Sequence, residues 1–240
     1  MYGIITYLRN KLFDCGIIEQ KSHSVKIISV GNIRVGGTGK TPFVEYLIKA
    51  LSPYFNLAIL SRGYGRKTKG FIHLQPHHTA SEVGDEPLLI YKRNPNTFVA
   101  VCEERNKGVE NILKISPKTN LIILDDAYQH RYINRDINIL LTEYNRPFFK
   151  DRVIPYGRLR EYRKGYKRAS YIVVTKCPPL NEKQKQDFVL KLKPLPHQKI
   201  FFSNIVYKLP YHIKNKEKQI NLSDYKVLLL TGIANNQHIV

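Results

Sequence analysis

A glycine-rich segment near the N-terminus has the residue types of a phosphate-binding loop. The segment Val35-Gly-Gly-Thr-Gly-Lys-Thr41 follows an apolar run and precedes a helical pattern. Glycines let successive backbone N–H groups turn toward one point, and the following helix N-terminus adds partial positive charge, which together suit a polyphosphate. We expect Lys40 to reach the β- and γ-phosphates of a nucleoside triphosphate and Thr41 to offer its hydroxyl to Mg²⁺. The predicted nucleotide-binding residues are Val35, Gly36, Gly37, Thr38, Gly39, Lys40 and Thr41.

One position departs from the usual P-loop spacing. Arg34 stands where the first glycine is normally found. A glycine-rich turn that binds nothing is the alternative interpretation. The order of apolar run, loop and helical pattern favours the P-loop.

Two further segments carry adjacent carboxylates. The apolar run 121–124 ends in Asp125 and Asp126, which is typical of a Walker B site, where a carboxylate holds Mg²⁺ directly or through water. A polar cap on a strand end is the alternative. Asp85 and Glu86 follow a glycine and would supply a base for an acceptor hydroxyl and a further metal contact. Favourable acids at a helix N-terminus explain this second pair equally well.

Basic and polar residues follow the predicted strand ends. Arginine suits bidentate contact with phosphate, and α/β proteins bind ligands on the loops after strand ends. Each residue taken alone is explained as a solvated surface charge. The set comprises Arg62, Arg66, Gln129, His130, Arg131 and Arg135.

The hydrophobic pattern predicts an α/β fold of the P-loop NTPase type. Short apolar runs alternate with helical patterns, which favours a mostly parallel sheet with helices on both faces. The predicted strands are 26–30, 56–60, 97–102, 121–124, 137–141, 171–175, 200–207 and 227–230, and the predicted helices are 41–51, 86–94, 105–115 and 181–192. We expect a mobile basic loop over 63–78.

Composition limits the class of partner and the compartment. The 240 residues are 42% hydrophobic, which is enough for one large domain with a packed core. A net charge of +20 favours anionic partners, either nucleic acid, acidic lipid or a phosphorylated substrate, although a genomic bias toward lysine explains part of it. Three widely separated cysteines disfavour disulfides and zinc, and point to a reducing cytoplasm. The absence of a long apolar run predicts no transmembrane helix.

The first 20 residues predict a short amphipathic helix rather than a signal peptide. Ile5, Leu8 and Leu12 recur at helical spacing, with Arg9 and Lys11 between them. Such a helix lies in a membrane interface or packs on the domain's own core, and the residues alone leave both possibilities open.

The motifs together resemble those of the tetraacyldisaccharide 4'-kinase family of the lipid A pathway. The resemblance covers the chain to about residue 176. The matching motifs, in order, are Gly31-Asn-Ile-Arg-Val-Gly-Gly-Thr-Gly-Lys-Thr-Pro42, Leu60-Ser-Arg-Gly-Tyr-Gly65, Val83-Gly-Asp-Glu-Pro87, Leu124-Asp-Asp-Ala-Tyr-Gln-His130 with Arg135-Asp136, and Pro155-Tyr-Gly-Arg-Leu-Arg-Glu161.

The resemblance implies a reaction and its participants. It implies Mg²⁺- and ATP-dependent phosphorylation of the 4'-hydroxyl of tetraacyldisaccharide 1-phosphate to give lipid IVA, at the cytoplasmic face of the inner membrane of a Gram-negative cell. The lipid A disaccharide 1-phosphate precursor and the inner-membrane surface are then the partners, and no nucleic acid is expected.

The resemblance also assigns residues. Asp85 is the implied base, acting with Lys40, which serves the phosphates. The implied metal residues are Thr41, Glu86, Asp125 and Asp126, and those lining the phosphate or substrate cleft are Arg62, Gln129, His130 and Arg158. At the position of Arg34, family members usually have a small polar residue.

The resemblance divides the chain into three parts. A membrane-docking helix over 1–20 precedes a P-loop kinase core over 21–205, and 206–240 is the linker strand and the beginning of a C-terminal lobe. Family members run on for about another hundred residues, including a histidine that pairs with the catalytic aspartate. We therefore expect nucleotide binding and poor catalysis from this length of chain.

Two other classes compete with the lipid kinase. One is a GTPase-like switch, but Val174-Thr-Lys-Cys177 lacks the Asn and Asp of an Asn-Lys-x-Asp guanine-reading motif. The other is a nucleic-acid-binding module, which only the charge suggests, because no helix-turn-helix or aromatic RNA-binding pattern accompanies it.

Overall fold

A computed structural model describes residues 2–206, 211–212, 215–221, 226 and 228. The chain divides into two units, Met1–Ser203 and Asn204–Val240. In the second unit, strand β9 (Tyr211–His212) pairs antiparallel with β10 (Asn215–Gln219). Strands β1 to β8 belong to the first unit. The predicted strand 227–230 falls outside the described residues except at Leu228, and it stays a prediction.

The first unit is built around an eight-stranded sheet in the order β3-β4-β2-β5-β1-β6-β7-β8. All neighbouring strands are parallel except β3, which runs antiparallel to β4 at the edge. The strands are β1 (Lys26–Gly31), β2 (Leu57–Ser61), β3 (Ile72–His73), β4 (Phe98–Val101), β5 (Leu121–Asp125), β6 (Ile137–Glu143), β7 (Tyr171–Thr175) and β8 (Lys199–Phe202).

Helices cover both faces of this sheet, as the sequence predicts. The helices are α1 (Tyr2–Asp14), α2 (Lys40–Leu51), α3 (Ala80–Val83), α4 (Asp85–Arg93), α5 (Arg105–Ile115) and α6 (Glu182–Leu192), with 3₁₀ turns at Phe148–Lys150 and Arg163–Arg168. Val44 and Ile48 of α2 and Ile90 of α4 pack on one face. The opposite face is covered by α5 at one end and by α6 at the other. Both faces of the sheet are therefore buried, which explains why the central strands are continuous apolar runs in the sequence.

Two parts of the sequence interpretation are wrong. The segment 63–78 contains β3, and the largely buried side chain of Arg66 pairs with Glu103 and donates to Gly70 O, so this loop is tied down. Hydrophobic periodicity cannot show such an ion pair between distant residues. The predicted strand 200–207 is too long, because β8 covers Lys199–Phe202 and residues 203–206 are not part of a strand.

The end of β1 lies very close to the chain after β5. A Cβ on Gly31 would come within 2.8 Å of both the Cβ and the backbone N of Tyr128. A side chain at this position would push the two segments apart. Glycine here brings the start of the P-loop against the segment that follows Asp125 and Asp126.

Candidate active site

The predicted P-loop lies at the carboxyl end of β1, in the middle of the sheet. Gly36 and Gly39 have φ of +116° and +82°, a backbone region that favours glycine, and α2 begins directly after Gly39. Asn32 Nδ2 donates to Thr38 Oγ1 over 2.6 Å and fixes the loop from within. The loop therefore presents a helix N-terminus and glycine N–H groups at the sheet edge, the arrangement that a polyphosphate requires.

Lys40 and Asp126 meet at this edge. The Lys40 side chain is largely buried, and its Nζ lies 3.7 Å from Asp126 Oδ1. Asp126 has a φ of +46°, in the left-handed region. Arg160 Nη1 approaches the same carboxylate at 3.2 Å and 3.3 Å. Two cations thus share one anion at the carboxyl edge of the sheet, beside the predicted P-loop.

Asp125 has different surroundings from its neighbour. It is fully buried, its Oδ2 accepts a hydrogen bond of 3.2 Å from Ser61 Oγ, and its Oδ1 has no partner among the described residues. Burial, and then the nearby carboxylates of Glu86 and Asp126, raise the pKa of Asp125 to about 6. A buried carboxylate with one free oxygen beside other carboxylates is a suitable ligand for a divalent cation.

Asp85 and Glu86 occupy the exposed N-terminus of α4. Gly84 precedes them with a φ of +91°, and a Cβ there would come within 3.0 Å of Tyr64 O. This close approach holds the start of α4 against the loop that follows β2. Both side chains thus lie at the helix end where the backbone N–H groups leave a partial positive charge.

The predicted basic set separates into two groups. Arg62 is exposed and lies near His130. Burial is the largest cause that lowers the pKa of His130 to about 4, and the guanidinium groups of Arg105, Arg135, Arg62 and Arg9 lower it further. An imidazole among four guanidinium groups is a favourable place for an anionic ligand. Arg158 has an exposed side chain, and its backbone N donates to Asp151 Oδ1.

The other group forms internal contacts. Gln129 Nε2 donates to Asn32 O at 2.7 Å and to Glu161 Oε1 at 3.0 Å, so its amide joins the start of the P-loop to the Glu161 carboxylate. Arg131 pairs with Asp14, at the end of α1. Arg135 donates to the backbone carbonyls of 127 and 128.

Sequence reasoning missed several residues of the site. Arg160 belongs to the last matching motif, and that motif was the available signal. Ser61 also lies in a matching motif, but nothing in the sequence assigns it a contact with Asp125. No local pattern indicates Glu143 or Lys176, because each reaches the site from the end of a different strand. The sequence indicates Arg105 only as the first residue of a predicted helix and gives no sign that it lies near His130.

Comparisons with known proteins identify the family. A protein-family model described as tetraacyldisaccharide-1-P 4'-kinase matches residues 1–240. The tetraacyldisaccharide 4'-kinases of Cytophaga hutchinsonii and Bacteroides fragilis are 45% and 44% identical to this chain, and each match covers the whole of this chain. The chain belongs to the tetraacyldisaccharide 4'-kinase family. It spans 68% and 66% of these two relatives, or about two thirds of their length.

The solved structures agree with the family assignment. A crystal structure of LpxK from Aquifex aeolicus in complex with ATP is 31% identical, with a TM-score of 0.68, and the match covers 85% of this chain and 78% of that one. The predicted family, the kinase class and the P-loop α/β fold are confirmed. The family match favours the lipid A 4'-kinase over the GTPase-like and nucleic-acid-binding alternatives.

The N-terminal helix of this family member leaves apolar side chains on the surface. Ile4, Ile5, Leu8 and Leu12 of α1 are exposed, whereas Phe13 is buried. In the part of the chain that the structure describes, no helix is both long and apolar enough to cross a membrane.

Proposed function

We propose that this chain transfers the γ-phosphate of ATP to the 4'-hydroxyl of tetraacyldisaccharide 1-phosphate, giving lipid IVA. The contact of 3.7 Å between Lys40 Nζ and Asp126 Oδ1 carries the proposal. It joins the phosphate-binding loop to the predicted metal carboxylates at one point of the sheet edge, and phosphoryl transfer needs mainly positioning and charge neutralisation there. The family description names the same 4'-phosphorylation.

The P-loop supports ATP as the phosphate donor. Lys40 pairs with Asp126 in the structure, and a triphosphate would offer its ammonium group a more highly charged partner. The family member from Aquifex aeolicus is described in complex with ATP.

The residues present fit a Mg²⁺ ion. Thr41 at the start of α2, the free Oδ1 of Asp125, and Asp126 would hold it, with Glu86 contributing charge from α4. Among the described residues, no three His, Cys, Asp or Glu side chains form a metal site by themselves. Mg²⁺ is usually held by one or two carboxylates together with substrate phosphates and water. When bound, the ion neutralises charge on the β- and γ-phosphates.

Asp85 supports the role of the base. It is exposed at the N-terminus of α4, where it is free to accept the proton of an incoming hydroxyl. Arg62 and His130, on the loops after β2 and β5, are suited to the anionic groups of the acceptor.

The exposed apolar side chains of α1 support docking at the inner-membrane surface. Ile4, Ile5 and Leu8 would enter the membrane interface, and the net positive charge of the chain would attract anionic lipid headgroups. A lipid acceptor would then be taken directly from the bilayer.

A transfer assay with labelled ATP and the disaccharide 1-phosphate in mixed micelles tests the function. We expect measurable label in the lipid with the wild-type chain, at a low rate. The turnover of Asp85→Asn should fall about 10²- to 10⁴-fold, because the base is lost while phosphate binding is kept. The affinity for ATP should stay within about twofold, since Asp85 serves the acceptor.

Asp187→Asn is the matched control, because Asp187 is an exposed carboxylate on α6 outside the site. It should transfer label as the wild type does. A wild-type chain that binds ATP and leaves the lipid unlabelled would contradict the proposed acceptor. Equal losses in Asp85→Asn and Asp187→Asn would contradict the role of Asp85.

A further inference from the structure

Two side chains at the end of β7 contact consecutive carbonyl groups of the P-loop. Thr175 Oγ1 donates to Thr38 O over 2.9 Å, and Lys176 Nζ donates to Gly37 O over 2.6 Å. Both residues lie in the segment 174–177, which lacks the Asn and Asp of a guanine-reading motif. The proposed function gives this segment no role.

The direction of these carbonyl groups matters for phosphate binding. A P-loop binds an anion because its backbone N–H groups face the ligand, which requires its carbonyl oxygens to face away. A carbonyl that turned inward would repel a phosphate. Donors placed on the outer side therefore stabilise the peptide orientation that binds the nucleotide.

Lys176 is held in an unusual conformation for this contact. Its φ is +55°, which a residue with a Cβ adopts at a cost in free energy. Its ammonium group also contacts Glu143 Oε1 at 2.5 Å, at the end of the adjacent strand β6. Such conformations persist where the surroundings determine them, and here two partners fix the side chain.

Arg34 extends the same chain of contacts. Its Nη1 lies 3.4 Å from Glu143 Oε2, and its Nε donates to Asp151 Oδ2 over 2.7 Å. The four side chains are mostly shielded, with exposures between 13% and 23%, so solvent screens their interactions less than those of surface pairs. The arginine that departs from the P-loop spacing is thus part of an ion-pair network beneath the loop.

The network also reaches the segment that contributes Arg160 to the site. Asp151 Oδ1 accepts a hydrogen bond from Arg158 N, and Val35 N donates to Arg158 O over 2.7 Å. Arg160 N donates to Ile33 O over 2.8 Å. The start of the P-loop and the segment 151–160 are therefore connected through both backbone and side chains.

We propose that Lys176 is a positioning residue for the triphosphate, which acts through the Gly37 carbonyl, and that Glu143 and Arg34 hold Lys176 in place. The proposal rests on the proposed function in requiring that the P-loop binds ATP. Lys176 is expected to set the affinity for the nucleotide without touching the acceptor.

Replacement of Lys176 by methionine tests the proposal. Lys176→Met keeps the length of the side chain and removes the charge-assisted hydrogen bond to Gly37 O. Because a charge-assisted hydrogen bond is worth about a factor of ten, we expect ATP to bind about tenfold more weakly. The KM for ATP should rise by a similar factor, while kcat with saturating ATP stays within about twofold.

A conservative replacement separates positioning from general stability. Lys176→Arg retains a cationic donor and should recover most of the affinity for ATP, even if its melting temperature stays below that of the wild type. Lys185→Met is the matched control, because Lys185 forms a surface ion pair with Glu182 on α6. It should bind ATP as the wild type does.

A double-mutant cycle tests the support from Arg34. Arg34→Met should weaken ATP binding, and Arg34→Met combined with Lys176→Met should be little worse than Lys176→Met alone, because both changes act on one network. Fully additive effects would show that Arg34 does not act through Lys176.

The proposal is overturned if Lys176→Met binds ATP as tightly as the wild type, or if Lys176→Arg is no better than Lys176→Met. Should Lys176→Met fail to fold, Glu143→Gln replaces it, with the same expected weakening, and unchanged affinity in that variant overturns the proposal. A wild-type chain that binds no ATP would contradict the proposed function instead.

Discussion

Asp125 and Asp126 are adjacent in sequence, but their carboxylates have different surroundings. Asp125 is buried against Ser61 with one oxygen free, whereas Asp126 is partly exposed between Lys40 and Arg160. At the scale of single residues, the role of a charged group in this site is set by what surrounds it, and the two aspartates are not interchangeable.

His130 provides a prediction at the same scale. Burial and the surrounding arginines lower the pKa of His130 to about 4, against a normal value of 6.5. Between these pH values the unfolded chain binds a proton that the folded chain does not, so stability is lost as the pH falls from 6.5 toward 4. We expect this group to account for a loss of about 3 kcal/mol.

Urea unfolding of the wild type and of His130→Gln at pH 7 and near pH 4 measures this effect. The wild type should lose more unfolding free energy than His130→Gln over that interval, because glutamine does not titrate. His197→Gln, which replaces an exposed histidine, is the control and should follow the wild type. Parallel losses in the wild type and His130→Gln would contradict the explanation.

The N-terminal helix shows how an element combines anchoring with exposure. Phe13 packs beneath the guanidinium of Arg131, at 4.9 Å from its ring centroid, and Arg131 also pairs with Asp14 at 2.9 Å. Asn10 Nδ2 donates to Glu161 over 2.9 Å. These contacts fix one side of α1 to the first unit. The amphipathic pattern left membrane docking and internal packing open, and the helix has both a packed side and an exposed apolar side.

Leu8→Asp tests the membrane role of this helix. Leu8 is 56% exposed, so the substitution should leave stability almost unchanged, as surface changes usually do. Binding to anionic lipid vesicles, measured by co-sedimentation, should weaken about tenfold or more. The substitution removes a leucine that would be buried in the membrane and adds a negative charge.

Leu190→Asp is the matched control, since Leu190 on α6 is 72% exposed and lies outside the docking surface. It should sediment with vesicles as the wild type does. Equal binding by Leu8→Asp and the wild type would contradict docking through α1.

The charge of the whole molecule acts over a longer range than any single contact. A net charge of +20 on 240 residues creates a field that attracts anionic surfaces in general. This field alone does not distinguish a membrane from a nucleic acid. The exposed apolar side chains of α1 favour binding to a membrane over binding to a nucleic acid. A membrane would remove these side chains from water, whereas a fully hydrated polyanion would not.

The salt dependence of vesicle binding separates these contributions. Raising NaCl from about 0.1 M to about 1 M shortens the Debye length from about 10 Å to about 3 Å. Binding to anionic vesicles should weaken about tenfold or more but persist, because the apolar contribution of α1 remains. Tight binding to random DNA, without binding to vesicles that carry the disaccharide, would contradict the membrane proposal.

Most of the fold follows from the sequence, because both faces of the sheet are buried. Continuous apolar runs predicted β1, β2, β4, β5, β6 and β7 to within two residues at each end, and helical spacing predicted α2, α4, α5 and α6. The edge strand β3 and the short α3 were missed, since two- and four-residue elements have no measurable period. The anchoring of the loop 63–78 was missed because Arg66 finds its partner 37 residues away.

The site divides in the same way between local and distant information. The P-loop, the Asp125–Asp126 pair and the order of the family motifs can be recognised from the amino-acid sequence, because each motif consists of a few consecutive residues. Three features become visible only when the chain is folded: Arg160 shares Asp126 with Lys40, Asp125 keeps a free oxygen, and Lys176 donates to a carbonyl of the P-loop. They depend on folding because a parallel sheet brings the carboxyl ends of strands that are far apart in sequence to one edge, where their charges interact.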